Sequence, residues 1–190
     1  MDGEARLIEL PGRVVFRGCS TWLDAASVGN PAKGDTFLLS PGYGLLRRLF
    51  HPCLATLVEV INAKKEPAQV EVRGLRVGRL RARPAPGYAV FRECRPVSAL
   101  TDENLIPPLR RRAQEFVFLV NTAESERLIY LMNFITDAEE LADFTANYFV
   151  PDERTRRRIY RETRVARRME LVIRRLDTLI AGIGRRKNHE

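Results

Sequence analysis

Between Phe134 and Glu153 the chain reads FITDAEELADFTANYFVPDE, with the carboxylates Asp137, Glu139, Glu140 and Asp143 crowded into two turns of an expected helix. Paired carboxylates can act as general acid and base when their surroundings hold one protonated and the other charged. A structural role competes with that chemistry. Thr136 and Glu139 stand at capping-box spacing, and acids in a first turn oppose the positive end of the helix dipole. Leu141, Phe144, Thr145 and Tyr148 recur as an inward stripe, and Pro151 supplies a stop. Start, buried face and stop are all accounted for, so the stretch reads as a capped helix and not as a catalytic dyad.

The other reactive residue types are sparse. His51 lies two residues before Cys53, but no third group is spaced to orient it as the base of a nucleophilic pair. His51 and His189 are the only histidines, and Cys19, Cys53 and Cys94 never form a C-x-x-C pair, so no metal site and no disulfide framework is expected. SPGYG (40–44) follows an expected strand, yet the chain lacks the G-x-x-x-x-G-K-[ST] pattern of a phosphate-cradling loop, and the segment reads as a turn. No catalytic residue and no cofactor is expected.

Arginine is the remaining candidate for chemistry. The formal net charge is +8, and by count along the chain residues 152–190 carry 13 basic against 6 acidic side chains while 101–151 carry 4 against 9. Arg157, Arg161, Arg164, Arg168 and Arg175 recur at helical spacing, and Arg79, Arg81 and Arg83 alternate along an expected strand. Such stripes suit nucleic-acid phosphates, with a steep salt dependence. They equally suit carboxylates of the acidic middle segment, the reading preferred for the tail because Tyr160 is the only aromatic interleaved with its arginines.

The elements that position these residues divide by period. From Arg6 to Val97 short aliphatic and β-branched runs alternate with Pro- and Gly-rich turns, predicting strands at 6–10, 13–16, 20–25, 36–40, 54–63, 69–73, 75–83 and 88–94. That many short strands favours a small barrel or sandwich. Beyond Leu100 the period becomes helical, with helices expected near 102–121, 124–134, 137–149 and 153–182. The fold class is α+β, with a β-rich subdomain at 1–100, a helical subdomain at 101–184 and a disordered tail at 185–190. At 45% hydrophobic and 29% charged residues the chain can pack a core, and no apolar stretch approaches the ~18 residues of a membrane span. The acidic, polar opening MDGEARLIEL lacks the pattern of a secretory signal, so a cytoplasmic location is expected.

Several stretches together resemble one family. RVVFRG (13–18) resembles the D-V-V-x-F-P-G segment of the Lon-protease N-terminal domain family, HPCLATLVEVINA (51–63) is similar to its h-x-V-G-T-x-A-x-I strand, and VRGLRVGRLR (72–81) looks like its V-x-G-x-x-R-x-x-I hairpin. Residues 137–176 resemble its pattern of LAD-x-x-A, a Pro-containing turn, a short helix, and D-V-x-x-R-L opening a last helix. Arg17 stands where that family usually has Pro, DAASVGNPAKGD is shorter than the usual helical insertion, and Arg164 replaces the usual Asp. The resemblance implies a PUA-like β pseudo-barrel followed by a C-terminal α-helical subdomain. It also implies a non-catalytic module that recognises polypeptide segments or a partner protein, standing alone without the ATPase and peptidase domains of Lon enzymes.

On that basis the expected site is a groove between barrel and helices, with Trp22, Tyr43 and Phe50 as candidate peptide-binding residues. The alternative is a PUA-like RNA-binding module using Arg79, Arg81, Arg83, Arg157, Arg161, Arg164 and Arg168.

Overall fold

The computed structural model describes residues 2–43, 53–82, 85–94, 96–97, 100–120 and 123–187, and divides into two compact units, Met1–Arg95 and Pro96–Glu190. In the first unit the described strands are β1 (Asp2–Glu9), β2 (Ser20–Asp24), β3 (Thr36–Ser40), β4 (Leu54–Lys64), β5 (Gln69–Ala82) and β6 (Tyr88–Glu93). β1 lies parallel to β3 and antiparallel to β6, while β4 is antiparallel to β3 and β5, and β5 to β6. Those pairings close β1, β3, β4, β5 and β6 into a ring, which satisfies strand edges that would otherwise template association. β2 stands outside the ring on the first part of β5, with Ser20 opposite Arg73 and Asp24 opposite Gln69.

Each face of the sheet carries a core. Leu7, Leu38, Ala55, Ala89 and Phe91 form one core, with Leu57 and Leu80 against it, so every strand of the ring contributes. Ile8, Phe37, Leu39, Val58, Val60, Val70 and Val72 form a second core on the other face, completed by Leu23 of β2 and by Val15, Ala25 and Val28. Successive residues of a strand point to opposite faces, which is why Leu7 and Ile8, or Leu38 and Leu39, can both be buried.

Two strand expectations are corrected. Residues 13–16 make no strand: Val14, Val15 and Phe16 are buried in an irregular segment between Gly12 and Gly18, both at positive φ, and Thr56 Oγ1 donates to the Val15 carbonyl at 2.6 Å. The runs 69–73 and 75–83 are not two strands of a hairpin but the single strand β5, because Gly74 permits a close backbone approach and not a reversal. Register shifts against β4 and β6 show that β5 bends as it crosses between neighbours.

The second unit begins with a 3-10 segment, Leu100–Leu105, and continues as α1 (Ile106–Val120), α2 (Ser125–Phe134), α3 (Ala138–Phe149), α4 (Glu153–Arg161) and α5 (Val165–Lys187). Its core joins Leu109, Ala113 and Val117 of α1 to Met132 of α2, Leu141, Ala142 and Ala146 of α3, Ile159 of α4, and Val165, Met169, Val172 and Leu176 of α5. The expected helix 153–182 is broken. Glu162 is extended, and residues 163–165 pair with Val97, whose N–H donates to the Thr163 carbonyl at 2.8 Å and whose carbonyl accepts from Val165 N–H at 3.1 Å. A long-range backbone pairing thus overrides a continuous helical pattern. α5 runs through Lys187, into the stretch 185–190 expected to be disordered. The α3 cap also differs by one residue: Asp137 and not Thr136 is the N-cap, accepting from Glu140 N–H at 2.8 Å. Leu141, Phe144 and Thr145 are buried as expected, whereas Tyr148 is exposed at the helix end.

Candidate functional site

The carboxylates of α3 are structural. Asp137 holds the helix start, and Asp143, at 2% side-chain exposure, forms an ion pair of 2.6 Å with Arg168 of α5, at 6%. The remaining nitrogens of Arg168 donate to the Glu162 carbonyl at 3.1 and 2.8 Å. Arg168 is therefore removed from the expected surface stripe, because its charge is needed where α3 meets the α4–α5 turn. Among the described residues no group of His, Cys, Asp and Glu is arranged to hold a metal ion. Cys19 is buried, Cys53 and Cys94 are half-buried, and none of the three is in a disulfide. His51 lies outside the described residues.

The candidate peptide-binding residues have separate fates. Trp22 is half-buried on β2, with Lys64 Nζ 4.3 Å from its ring centroid, a cation–π contact at the margin of the barrel unit. Tyr43 is inside that unit, at 6% exposure, and its hydroxyl accepts from Leu54 N–H at 3.0 Å, which ties the end of β4 to the loop after β3. Phe50 lies outside the described residues.

The arginines also divide. Arg79 is exposed, directly opposite Arg92 across β5 and β6, and Arg81 is the exposed extra residue of a bulge that interrupts the expected alternation. Arg83 lies outside the described residues. In the helical unit Arg164 reaches Glu162 at 3.5 Å and Arg175 reaches Asp152 at 2.8 Å, while Arg112 pairs with Asp177 and Glu115, and Arg167 and Arg174 pair with Glu170. Arg157 and Arg161 lie on α4, Arg161 already in contact with neighbours.

Asp152 connects the α4 cap to α5. It accepts from Thr155 N–H at 2.8 Å, and its other oxygen meets Arg175 closely but without the alignment of a hydrogen bond, so that contact is one of charge alone. Burial pushes its carboxyl up, and the Thr155 side chain and N–H together with Arg175 more than offset this, leaving it below the ordinary aspartate value. Asp152→Ala is expected to cost about 1 kcal/mol of stability, and Asp152→Asn less, because Asn retains the cap. A carboxyl depressed in the fold contributes stability above its unfolded pKa and loses it as pH falls through the folded pKa. The gap between wild type and Asp152→Asn should therefore narrow between pH 7 and about pH 3 in urea denaturation. A gap that widens on acidification would contradict this.

What the sequence candidates missed is an exposed aromatic surface on α1 and α2. Phe118, Tyr130 and Phe134 are 72%, 63% and 68% exposed, and Leu131 and Val120 are open to solvent beside them in sequence. α1 and α2 are consecutive helices joined across residues 121–124, and Gln114 Nε2 meets Asn133 Oδ1 at 3.2 Å between them. One turn closer to the connection Phe118 and Tyr130 follow, and the Tyr130 and Phe134 rings meet at a tilt of 56° with their centroids 4.7 Å apart. Three large rings left in water on one helical pair are uncommon for a surface whose only task is to be solvated. The available signal was apolar excess: EFVFLV and RLIYLMNF carry hydrophobic residues on more faces than one neighbouring helix can cover.

Among the described residues no helix is long and apolar enough to cross a membrane. The sequence matches no protein-family model and no curated protein. Solved structures do match. The N-terminal domain of Mycobacterium avium complex Lon protease superposes with a TM-score of 0.69 at 14% identity, covering 92% of this chain and 98% of that one. The Lon N-terminal domain protein from Xanthomonas campestris superposes with a TM-score of 0.53 at 16% identity, covering 90% of this chain and 97% of that one. With both superpositions covering nine-tenths or more of each chain, this chain has the Lon N-terminal domain fold.

Proposed function

We propose that the protein binds polypeptide segments without altering them, and that the aromatic surface of α1 and α2 is where it holds them. The carrying observation is the exposure of Phe118, Tyr130 and Phe134 on a fold shared with the N-terminal domain of a protease. Rigid rings offer a large apolar contact at small entropic cost, and they accept varied apolar side chains without requiring one sequence. Gln114 and Asn133, which meet one turn away, add polar groups next to them. Trp22, in the barrel unit, is a separate candidate contact in this proposal, and Tyr43 contributes only by holding the barrel. The resemblance read from the sequence implies the same role.

The test is fluorescence anisotropy with a labelled, reduced and alkylated polypeptide that cannot fold. Phe118→Ala, Tyr130→Ala and Phe134→Ala combined should weaken binding by about tenfold or more, the scale of losing a hot-spot cluster. Circular dichroism should be unchanged, since all these rings are outside the core. Equal affinity for wild type and variant would remove this surface from consideration.

A further inference from the structure

α4 carries arginine at five of its nine positions, ERTRRRIYR. Ile159 and Tyr160 face the core at 0% and 3% exposure, so the opposite face carries Arg154 and Arg158, both exposed, and the half-buried Arg157, while Arg161 at the helix end is half-buried and already engaged. Elsewhere in this unit Arg112, Arg164, Arg167, Arg168, Arg174 and Arg175 meet carboxylates, while Arg110 and Arg185 donate to backbone carbonyls. Among the described residues Arg154, Arg157 and Arg158 stand in no ion pair. The carboxylates at the two ends of the helix are engaged: Asp152 caps it and meets Arg175, Glu162 meets Arg164, and Glu153 has contacts of its own.

We infer that this face of α4 binds the phosphate backbone of nucleic acid. Side chains three and four apart on a helix stand about 5–6 Å apart at Cβ, so long guanidinium groups can reach neighbouring phosphates together. Charge concentrated on one short helix, with the acids beside it already engaged, is the electrostatic footprint of a polyanion partner. The expected stripe of Arg157, Arg161, Arg164 and Arg168 is thereby redrawn: the helix break separates its ends, Arg168 is buried, Arg164 is paired, and Arg154 and Arg158 enter. Tyr160, the aromatic nearest these arginines, is buried and cannot stack on a base. Recognition is then through phosphates alone, so duplexes should bind as well as single strands, without sequence preference.

The experiment is a salt titration of affinity for a 20-base-pair DNA duplex, the same duplex in RNA, a 20-nucleotide oligo-U and poly-glutamate. Arg154→Gln, Arg157→Gln and Arg158→Gln combined should weaken duplex binding by about tenfold or more at low salt and reduce the slope of log affinity against log salt by about 2 to 3. A control with the same change in net charge, Arg112→Gln, Arg167→Gln and Arg174→Gln, removes paired arginines and should leave most of the affinity and slope. The aromatic variant of α1 and α2 should bind duplex as wild type does, which separates this inference from the proposed polypeptide site. Equal losses from both arginine sets, poly-glutamate binding as tightly as duplex, a tenfold preference for the single strand, or no duplex binding by wild type at low salt would each overturn it.

Discussion

Asp143→Ala is expected to lower the stability of the helical unit by about 3–5 kcal/mol, the cost of leaving one member of a buried ion pair without the other. The side chains of Asp143 and Arg168 are 2% and 6% exposed, so water cannot take the place of the missing carboxylate. The guanidinium would keep only the Glu162 carbonyl as acceptor. Arg168→Leu attacks the same junction from the other side, burying an aspartate charge and withdrawing both donors from that carbonyl. Urea denaturation followed by circular dichroism at 222 nm, which is dominated by the helical unit, reads both. Replacing the pair together, Asp143→Leu with Arg168→Met, should recover most of the loss, since an apolar pair of similar volume avoids desolvating two charges. Recovery should stay short of wild type by about 1–3 kcal/mol because the Glu162 carbonyl remains without its donors. A cost below about 1 kcal/mol for either single change would mean that the junction tolerates an uncompensated charge, contrary to the reasoning on buried pairs.

That pair also marks where sequence reading ends. Strand positions in the barrel unit were legible because turn residues and alternation are local properties: TFLLS emerges as β3 with its expected bounds, and β4 extends the expected 54–63 by one residue. RVVF looks equally strand-like and is not a strand, since pairing requires a neighbour that local pattern does not supply. In the tail, arginine spacing is periodic whether a given side chain meets solvent, a carboxylate or the core. Only the approach of α5 to α3, which sequence spacing cannot report, makes Arg168 different from Arg157. The continuous pattern across 153–182 likewise gives no hint that Val97 takes up the backbone near Thr163. The exposed rings were missed for the converse reason: an apolar periodicity predicts which face is hydrophobic, and whether anything covers that face depends on helix packing. Tyr43 and Trp22 show the same ambiguity between loop aromatics that hold a barrel and those that remain at its margin.

Gly74→Ala is expected to destabilise the barrel unit by about 3 kcal/mol, whereas Gly182→Ala, the same chemical change, should stabilise the helical unit by about 0.5–1 kcal/mol. A Cβ on Gly74 would overlap the Phe16 carbonyl, which is backbone and fixed by its surroundings. Gly74 N–H donates to the Cys19 carbonyl and its own carbonyl accepts from Gly18 N–H, each at 2.9 Å, so the strand cannot retreat without releasing the segment that leads into β2. The strain is purely steric, because Gly74 has no positive φ. Gly182 sits within α5 with nothing inside 4 Å of the place a Cβ would take, so an added methyl meets open space and the gain comes from restricting the unfolded chain. Trp22, the single tryptophan, lies on β2 opposite Glu71 of β5, and its fluorescence should report the loss at Gly74. Circular dichroism at 222 nm should report the gain at Gly182. If both substitutions moved stability in the same direction, the close approach of β5 to the segment before β2 would not be what the glycine is for, and the bend that joins β2, β4 and β6 to one long strand would need another cause.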